Sequence, residues 1–457
     1  MLTSKTFLKK NKRGNVLKIV REHYLRDDLS CGSELCLACD TKEAILDKIP
    51  TSSSKKYMEP HYLLLDTNII LEQIDILEEP TLCNVILVQT ILQEVKHRSS
   101  SVYKRLKDLI SNPSRKFYVF VNEHHYETYV EQEPGESVND RNDRALRRVA
   151  TWYEEHLESA VRVILLSEDV RNRDLATQSG LLTSSIEGYI STLSNGEPLL
   201  DKLSKKEAVV ETSVKDSLYP LHATPSEIHA GIKNQSLLQG SFQASRENFL
   251  EGQVNCEGYD KPILVQGREG LNRAIDGDTV AVRLLPESQW SAPLELVLED
   301  EGSGEDEEGE DGKLIKGNKT VPPAERRPTG QIVGIIKRKW RQYCGILQPN
   351  PLAGSSRHLF VPAERKIPKI RVETRQIATL SGQRIVVAID SWPRHSRYPQ
   401  GHFVRALGPI GDKDTENEVL LLEHDVPHSK FSDLVLSYLP PMPWVSDICR
   451  AQLSVYT

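Results

Sequence analysis

The amino-acid sequence predicts an α/β domain, a parallel sheet with flanking helices, followed by two all-β barrels of the OB or cold-shock kind. Three observations lead there. Between residues 59 and 200 continuously apolar runs alternate with helical patterns, as strands buried on both faces and their crossover helices must. Beyond residue 200 the runs shorten, alternate in polarity and are broken by Gly and Pro, the pattern of small closed β structures. That second pattern occurs twice, on either side of an acidic stretch.

At 457 residues the chain exceeds what one hydrophobic core organises, so about three domains are expected. Residues 1–58 form an N-terminal segment. It carries KKNKR (Lys9 to Arg13), a basic run that reads as a nuclear localisation signal or a solvated tail, and three crowded cysteines, Cys31, Cys36 and Cys39. Seven cysteines, an odd number, behind an N-terminus without a signal-peptide core point to thiols or metal ligands rather than disulfides. No apolar run is long enough to cross a bilayer, and the expected setting is intracellular.

In residues 59–200 the strands are YLLLD, NVILVQ, KFYVFVN and VRVILLSED, separated by the helical patterns TILQEVKHRSSSVYKRLKDLI and NDRNDRALRRVATWYEEHL. Thr90 and Gln93 suggest a capping box at the start of the first of these helices. In residues 201–298, GSFQASRENFLEGQV, PILVQG and GDTVAVRLLP read as the first barrel. In residues 326–444, TGQIVGIIKRKWRQYCGILQ, RHLFVPAE and GQRIVVAIDSWP read as a second, diverged copy. Residues 299–325 between them read as a disordered linker, because nine of the thirteen residues from Glu299 to Asp311 are acidic. Without those nine, the formal charge of −7 becomes +2, and from Arg326 to Arg405 sixteen Lys or Arg stand against three acids. The overall charge therefore hides a basic second barrel and does not exclude nucleic acid. Residues 445–457 are a divergent tail.

In an open parallel sheet, ligands bind outside the carboxyl ends of the strands. Asp66 ends the first strand and Asp169 the fourth, while Glu94 and Asp143 are expected in the first turns of the helices after the second and third. Converging carboxylates raise one another's pKa; a hard divalent cation resolves the repulsion, and oxygen-only ligands select Mg²⁺ or Mn²⁺. Such an ion activates water and stabilises charge on a phosphoryl oxygen. Asn68 and Ser167, beside two of the acids, are candidates to orient a ligand or the water. Taken singly, Asp66 and Asp169 also read as helix caps and Asp143 as a surface partner of Arg147, and Asp140 competes with Asp143 for the third position.

Cys31, Cys36 and Cys39 supply three soft ligands and need a fourth for tetrahedral zinc, with His23 and His156 as candidates. In the second barrel, Lys337, Arg338, Lys339, Trp340, Arg341, Tyr343, Phe360, Trp392, Arg394, Arg397 and Phe403 mix cations with aromatics, as surfaces that bind single-stranded RNA do. Trp340 and Trp392 read equally as core anchors.

LLLDTNII, QEV, NDRNDR and LSED, in this order, resemble the PIN nuclease domain. REHYLRDD, the three-cysteine motif and the two barrels extend the resemblance, over nearly the whole chain, to the ribonuclease-II-type catalytic subunits of the eukaryotic RNA exosome. The resemblance implies that Asp66, Glu94, Asp143 and Asp169 bind Mn²⁺ or Mg²⁺, that His156 is the favoured fourth zinc ligand, and that the barrels guide RNA. It further implies a single-strand endoribonuclease of RNA processing and decay, docked on the exosome core ring in the nucleus, nucleolus and cytoplasm. The acidic motif of the family's C-terminal exonuclease domain does not occur among these residues, so exonuclease activity is not expected of this chain. A docking and RNA-binding part without catalysis is the alternative.

Overall fold

The computed structural model describes residues 3–10, 14–39, 44–50, 53–205, 217–258, 261–293, 326–348, 355–426 and 433–439. The expected disordered linker at 299–325 lies outside them, as do the tail at 445–457 and part of the KKNKR run. The chain opens with an antiparallel hairpin, β1 (Thr3–Lys10) and β2 (Val16–His23), which the sequence pattern did not announce.

Five parallel strands follow: β3 (His61–Leu65), β4 (Val85–Val88), β5 (Phe117–Phe120), β6 (Arg162–Leu166) and β7 (Leu182–Ser184), in the order β5-β4-β3-β6-β7. Every residue of β3 and β4 is buried, because helices cover both faces of the sheet. β7 is three partly exposed residues and leaves no apolar run to read. From β3 the chain steps outward to β4 and β5, then returns across the sheet to β6. The order therefore reverses at the β3/β6 pair, and a crevice opens at the ends of those two strands.

Two local expectations are corrected. The long pattern after β4 is two helices, Gln89–Arg98 and Ser100–Ser111; Ser99 between them is extended, and its hydroxyl accepts the Val102 N–H at 3.4 Å. Nor is there a capping box at Thr90 and Gln93. β4 leads into the helix without a turn, so Val88 is the cap residue, and Thr90 instead engages Asn122 and Glu123.

The first barrel comprises β8 (Leu238–Ala244), β9 (Glu251–Cys256), β10 (Ile263–Gln266), β11 (Thr279–Leu284) and β12 (Gly330–Lys337), ordered β10-β9-β8-β11-β12. The Leu264 N–H donates to Pro328 O at 2.8 Å and brings β10 alongside the approach to β12 in a parallel bridge. The second barrel, β13 (Gln342–Gln348), β14 (Arg357–Pro362), β15 (Ile370–Glu373), β16 (Gln383–Ser391) and β17 (Gln400–Pro409), closes as β13-β14-β15-β17-β16. Counted within each barrel, both run first-second-third-fifth-fourth, with third and fifth strands meeting in parallel. The repeat is thus topological.

One boundary moves. GQIVGIIK, assigned by its pattern to the second barrel from residue 326, is β12, the fifth strand of the first barrel. β11 would otherwise carry an open edge, and Ile332 of β12 packs in one core with Val280 and Val282. The acidic stretch is therefore an insertion between the fourth and fifth strands of the first barrel, and the second begins near Gln342.

The α/β domain docks on the second barrel through a buried ionic joint. His402 of β17 directs Nδ1 at Asp390 Oδ1 (2.8 Å) and Nε2 at Asp75 Oδ2 (3.3 Å); Asp75, in the α/β domain, also accepts from Arg105 at 2.8 Å and Gln342 at 2.9 Å. Two carboxylate acceptors require an N–H on each ring nitrogen, hence an imidazolium. Despite its burial, hydrogen bonds to Asp390 and Asp75 push His402 up to about 9, while His402 and Arg105 hold Asp75 at about 2.

Candidate active site

Asp66 leaves β3 at the crevice and is 4 % exposed. Its Oδ1 accepts the Thr67 N–H at 2.6 Å, and its Oδ2 accepts from Ser167 Oγ at 2.5 Å and Asn68 Nδ2 at 3.1 Å. It is at once the N-cap of the helix Thr67–Glu72 and the most buried of the four predicted acids, so the two readings of this residue do not exclude each other. Burial raises its pKa, with Glu94 adding to the effect.

Asp169 likewise caps a helix, Val170–Gln178, accepting the Asn172 N–H at 3.2 Å, and its own N–H donates to Ser167 Oγ at 3.1 Å. Ser167 thereby ties two of the acids together. Glu94 and Asp143 lie in second rather than first turns, because their helices begin at Gln89 and Val138. Glu94 Oε2 accepts from Thr67 Oγ1 at 3.0 Å and Asn142 Nδ2 at 3.1 Å, and Oε1 pairs with Arg98 at 3.0 Å.

The Asp143 carboxylate makes no hydrogen bond among the described residues. Burial and, after it, the charges of Asp66 and Asp169 push its carboxyl up to about 7. Asp140, the rival in sequence, is exposed and bonded to the Ser137 cap at the helix start, with Arg171 at 3.8 Å. The i+4 pair of Asp143 with Arg147 does not form; Arg147 Nη1 donates to Asn172 Oδ1 instead. Thr67, Asn142 and Asn172 were missed because nothing in the sequence separates them from the other neutral residues near the acids; Thr67 and Asn142 adjoin Asp66 and Asp143, and Asn172 follows Asp169 by three residues.

The cysteines form a second, tighter constellation. One ligand atom from each of Cys31, Cys36, Cys39 and His156 lies within 4.8 Å of the others, the sole such group of three or more among the described residues. The four acids do not gather so closely. His156 Nε2 is 3.2 Å from Cys36 Sγ and 3.4 Å from Cys39 Sγ, and its ring stacks on Trp152 at 4.4 Å. His23 is elsewhere, its Nε2 against Glu123 O at 2.6 Å. Against the penalty of burial, the N–H groups of Cys39 and Ala38 hold the Cys36 thiol below its ordinary value, whereas burial pushes Cys31 and Cys39 up. Gly32 permits the loop: its φ is +71°, and a Cβ there would lie 2.5 Å from the Tyr118 ring.

The expected RNA surface divides. Tyr343, Phe360 and Phe403 are 1 %, 0 % and 6 % exposed, because strand alternation turns them into the barrel core; base stacking by these three is corrected. Trp340 and Trp392 pack against the same core, Trp340 under the Arg338 guanidinium at 4.6 Å, and Trp392 donating to Ser396 O at 3.0 Å. Arg338 pairs with the buried Asp278 of the first barrel at 2.8 Å, Arg341 with Glu423 at 2.6 Å, and Arg394 donates to Tyr219 O at 3.1 Å. Arg397 lies over Tyr398 at 5.4 Å, and Lys337 and Lys339 are exposed. A groove between the barrels, lined by Tyr219, Phe249, Arg268, Arg273, Lys366 and Trp392, combines the same chemistry from segments too scattered to be seen in sequence.

Three segments of the chain match known families. Residues 63–187 match the PIN domain family, residues 216–313 the Rrp44-like cold shock domain, and residues 357–425 the Dis3-like cold-shock domain 2 (CSD2). Among similar proteins, the exosome complex exonuclease RRP44 of Mus musculus is 51 % identical over 458 residues, covering 97 % of this chain and 48 % of that protein. Its Homo sapiens counterpart is 50 % identical over 459 residues, with the same shares. The chain thus spans about half the length of the curated relatives it matches. A solved PIN domain of T. brucei RRP44 is 26 % identical, covers 36 % of this chain and 92 % of its own, and superposes with a TM-score of 0.32.

Proposed function

The chain belongs to the RRP44/Dis3 family of PIN- and cold-shock-domain proteins, and on that premise we propose that it is a divalent-metal-dependent endoribonuclease acting on single-stranded RNA. The observation that carries this reading is the hydrogen-bonded chain at the reversal of the sheet, in which Ser167 joins Asp66 to the Asp169 N–H and Glu94 bonds Thr67 and Asn142, the neighbours of Asp66 and Asp143. The donor set is all oxygen and fits Mn²⁺ or Mg²⁺, held by Asp66, Glu94, Asp143 and Asp169. When bound, the ion supplies an activated water and neutralises charge on the phosphoryl oxygens. The water oxygen bonds to phosphorus as a P–O bond to ribose breaks, leaving a phosphomonoester on one fragment and a hydroxyl on the other.

Asn68 and Ser167 fix the Asp66 carboxylate, Thr67 and Asn142 fix Glu94, and the Asp143 carboxylate, which carries no hydrogen bond of its own, is free to turn toward a ligand. Cys31, Cys36, Cys39 and His156 hold a structural Zn²⁺ that staples the N-terminal segment to the helix Val138–His156. The barrels bind RNA, the exosome core ring is the protein partner, and the chain works in nucleus and cytoplasm. The wider spacing of the carboxylates favours one second reading, a docking and RNA-binding module without turnover.

The test is incubation with a circular single-stranded RNA in Mn²⁺ beside the Asp143→Asn variant. The parent linearises the circle, and the variant, its RNA binding intact, is slower by about 100-fold or more. Equal cleavage by both sinks the assignment, and no cleavage by either favours the docking module.

A further inference from the structure

Resting on the endonuclease reading, we propose that Arg147 is the residue that anchors the RNA phosphate at the carboxylate site, and that Asn172 is its positioning residue. Of the arginines around the crevice, Arg98 pairs with Glu94, Arg141 with Glu123, Arg144 with Glu136 and Arg171 with Asp140, while Arg173 is drawn back onto the Ser167 carbonyl oxygen at 2.6 Å and, like Arg147, meets a neutral acceptor. Arg147, one turn beyond Asp143 on the same helix face, makes no ion pair among the described residues. One of its N–H groups is held by the Asn172 side-chain oxygen, a neutral acceptor that aims the guanidinium without neutralising it. Four of the five guanidinium N–H donors are left for an incoming group.

Asn172 carries the second, independent sign of a ligand. It is 2 % exposed, and its Nδ2 is buried with no hydrogen-bond partner, although it lies close enough to Asp66 to favour the ionised carboxylate. A buried donor without an acceptor at bonding geometry is costly, and an oxygen of the bound substrate, or the Asp66 carboxylate turned by it, supplies that acceptor. Four carboxylates repel a phosphodiester. A half-buried guanidinium beside Asp143, which feels that carboxylate through space but makes no direct ion pair with it, is the group that offsets that repulsion, and its planar fork matches two phosphate oxygens where an ammonium offers a single point.

The experiment uses the full chain, circular single-stranded RNA and Mn²⁺, with Arg147→Gln, Arg147→Lys, Asn172→Ala and the Gln/Ala double variant. Arg147→Gln lowers kcat about 100-fold while Mn²⁺ affinity, read from the EPR signal of the free ion, stays level or tightens. Arg147→Lys recovers part of the loss. Asn172→Ala loses about tenfold, and the double variant is no slower than Arg147→Gln alone, because both act through one guanidinium. Parental cleavage by Arg147→Gln overturns the proposal, as does a loss that runs parallel to lost Mn²⁺ binding. Should the parent itself cut nothing, the endonuclease reading fails and the anchor is judged alone: inorganic phosphate broadens the EPR lines of Mn²⁺ bound to the parent but not to Arg147→Gln. Broadening in both, or in neither, overturns it.

Discussion

Replacing His402 by Gln removes the cation on which two domains meet. The side chains of His402, Asp75 and Asp390 are 6 %, 9 % and 5 % exposed, so the substitution leaves two buried carboxylates, Asp75 with Arg105 and Gln342 still on it and Asp390 deprived of the His402 cation. Breaking such a pair costs about 3–5 kcal/mol. The rise of His402 from 6.5 to about 9 gives a compatible figure, roughly 3 kcal/mol. A histidine whose folded pKa is raised stabilises fully below its unfolded value, and that stability fades as pH climbs from about 6.5 through about 9. Asp75, depressed from 3.8 to about 2, works oppositely: its share is present above 3.8 and is lost as pH falls toward 2. The joint should therefore be tightest between about pH 4 and 6.5. Hydrogen exchange of the helix Ile74–Leu77 and of β17, corrected for intrinsic rates, reads it directly. The parent loses protection there between pH 6.5 and 9.5 while β3 keeps its own; His402→Gln starts loose and stays flat over that range. Equal protection in parent and variant at pH 6.5, or the same pH response in both, would refute the reasoning.

Chelation of zinc, or Cys36→Ser, should free residues 14–39 to exchange while β3 and β6 remain protected, with His156 losing its stacked position on Trp152 as seen by tryptophan fluorescence. Gly32→Ala combines a positive φ with a clash against Tyr118 and should cost about 2–4 kcal/mol, read as weaker metal retention in a chelator titration. Lys337→Ala with Lys339→Ala should lower the slope of log affinity for single-stranded RNA against log salt by up to about 1.4. Tyr343→Phe, changing a side chain enclosed in the core, should leave that affinity unaltered.

What the sequence reveals depends on how locally each feature is encoded. β3, β4 and β6 are legible because burial on both faces writes them as unbroken apolar runs, and the acids at their ends follow from the end rule for parallel sheets. The inward turn of Tyr343, Phe360 and Phe403 follows from strand register, which a list of aromatic residues does not contain. Asn172 and Arg147 meet across 25 residues of chain, and His402 meets Asp75 across 327; no window of sequence spans such pairs. The boundary error near residue 326 has a similar origin, since a strand's pattern states that it pairs but not with which barrel.

The interrupted first barrel also has a history in time. A ribosome delivers β8 to β11 and then must translate residues 285–329 before β12 exists. Until then the nascent sheet shows the unsatisfied rim of β11, a template on which neighbouring chains on a polysome would add strands of their own. The nine acids from Glu299 to Asp311 emerge during this wait, so every unfinished copy carries the same sign of charge while its edge is open.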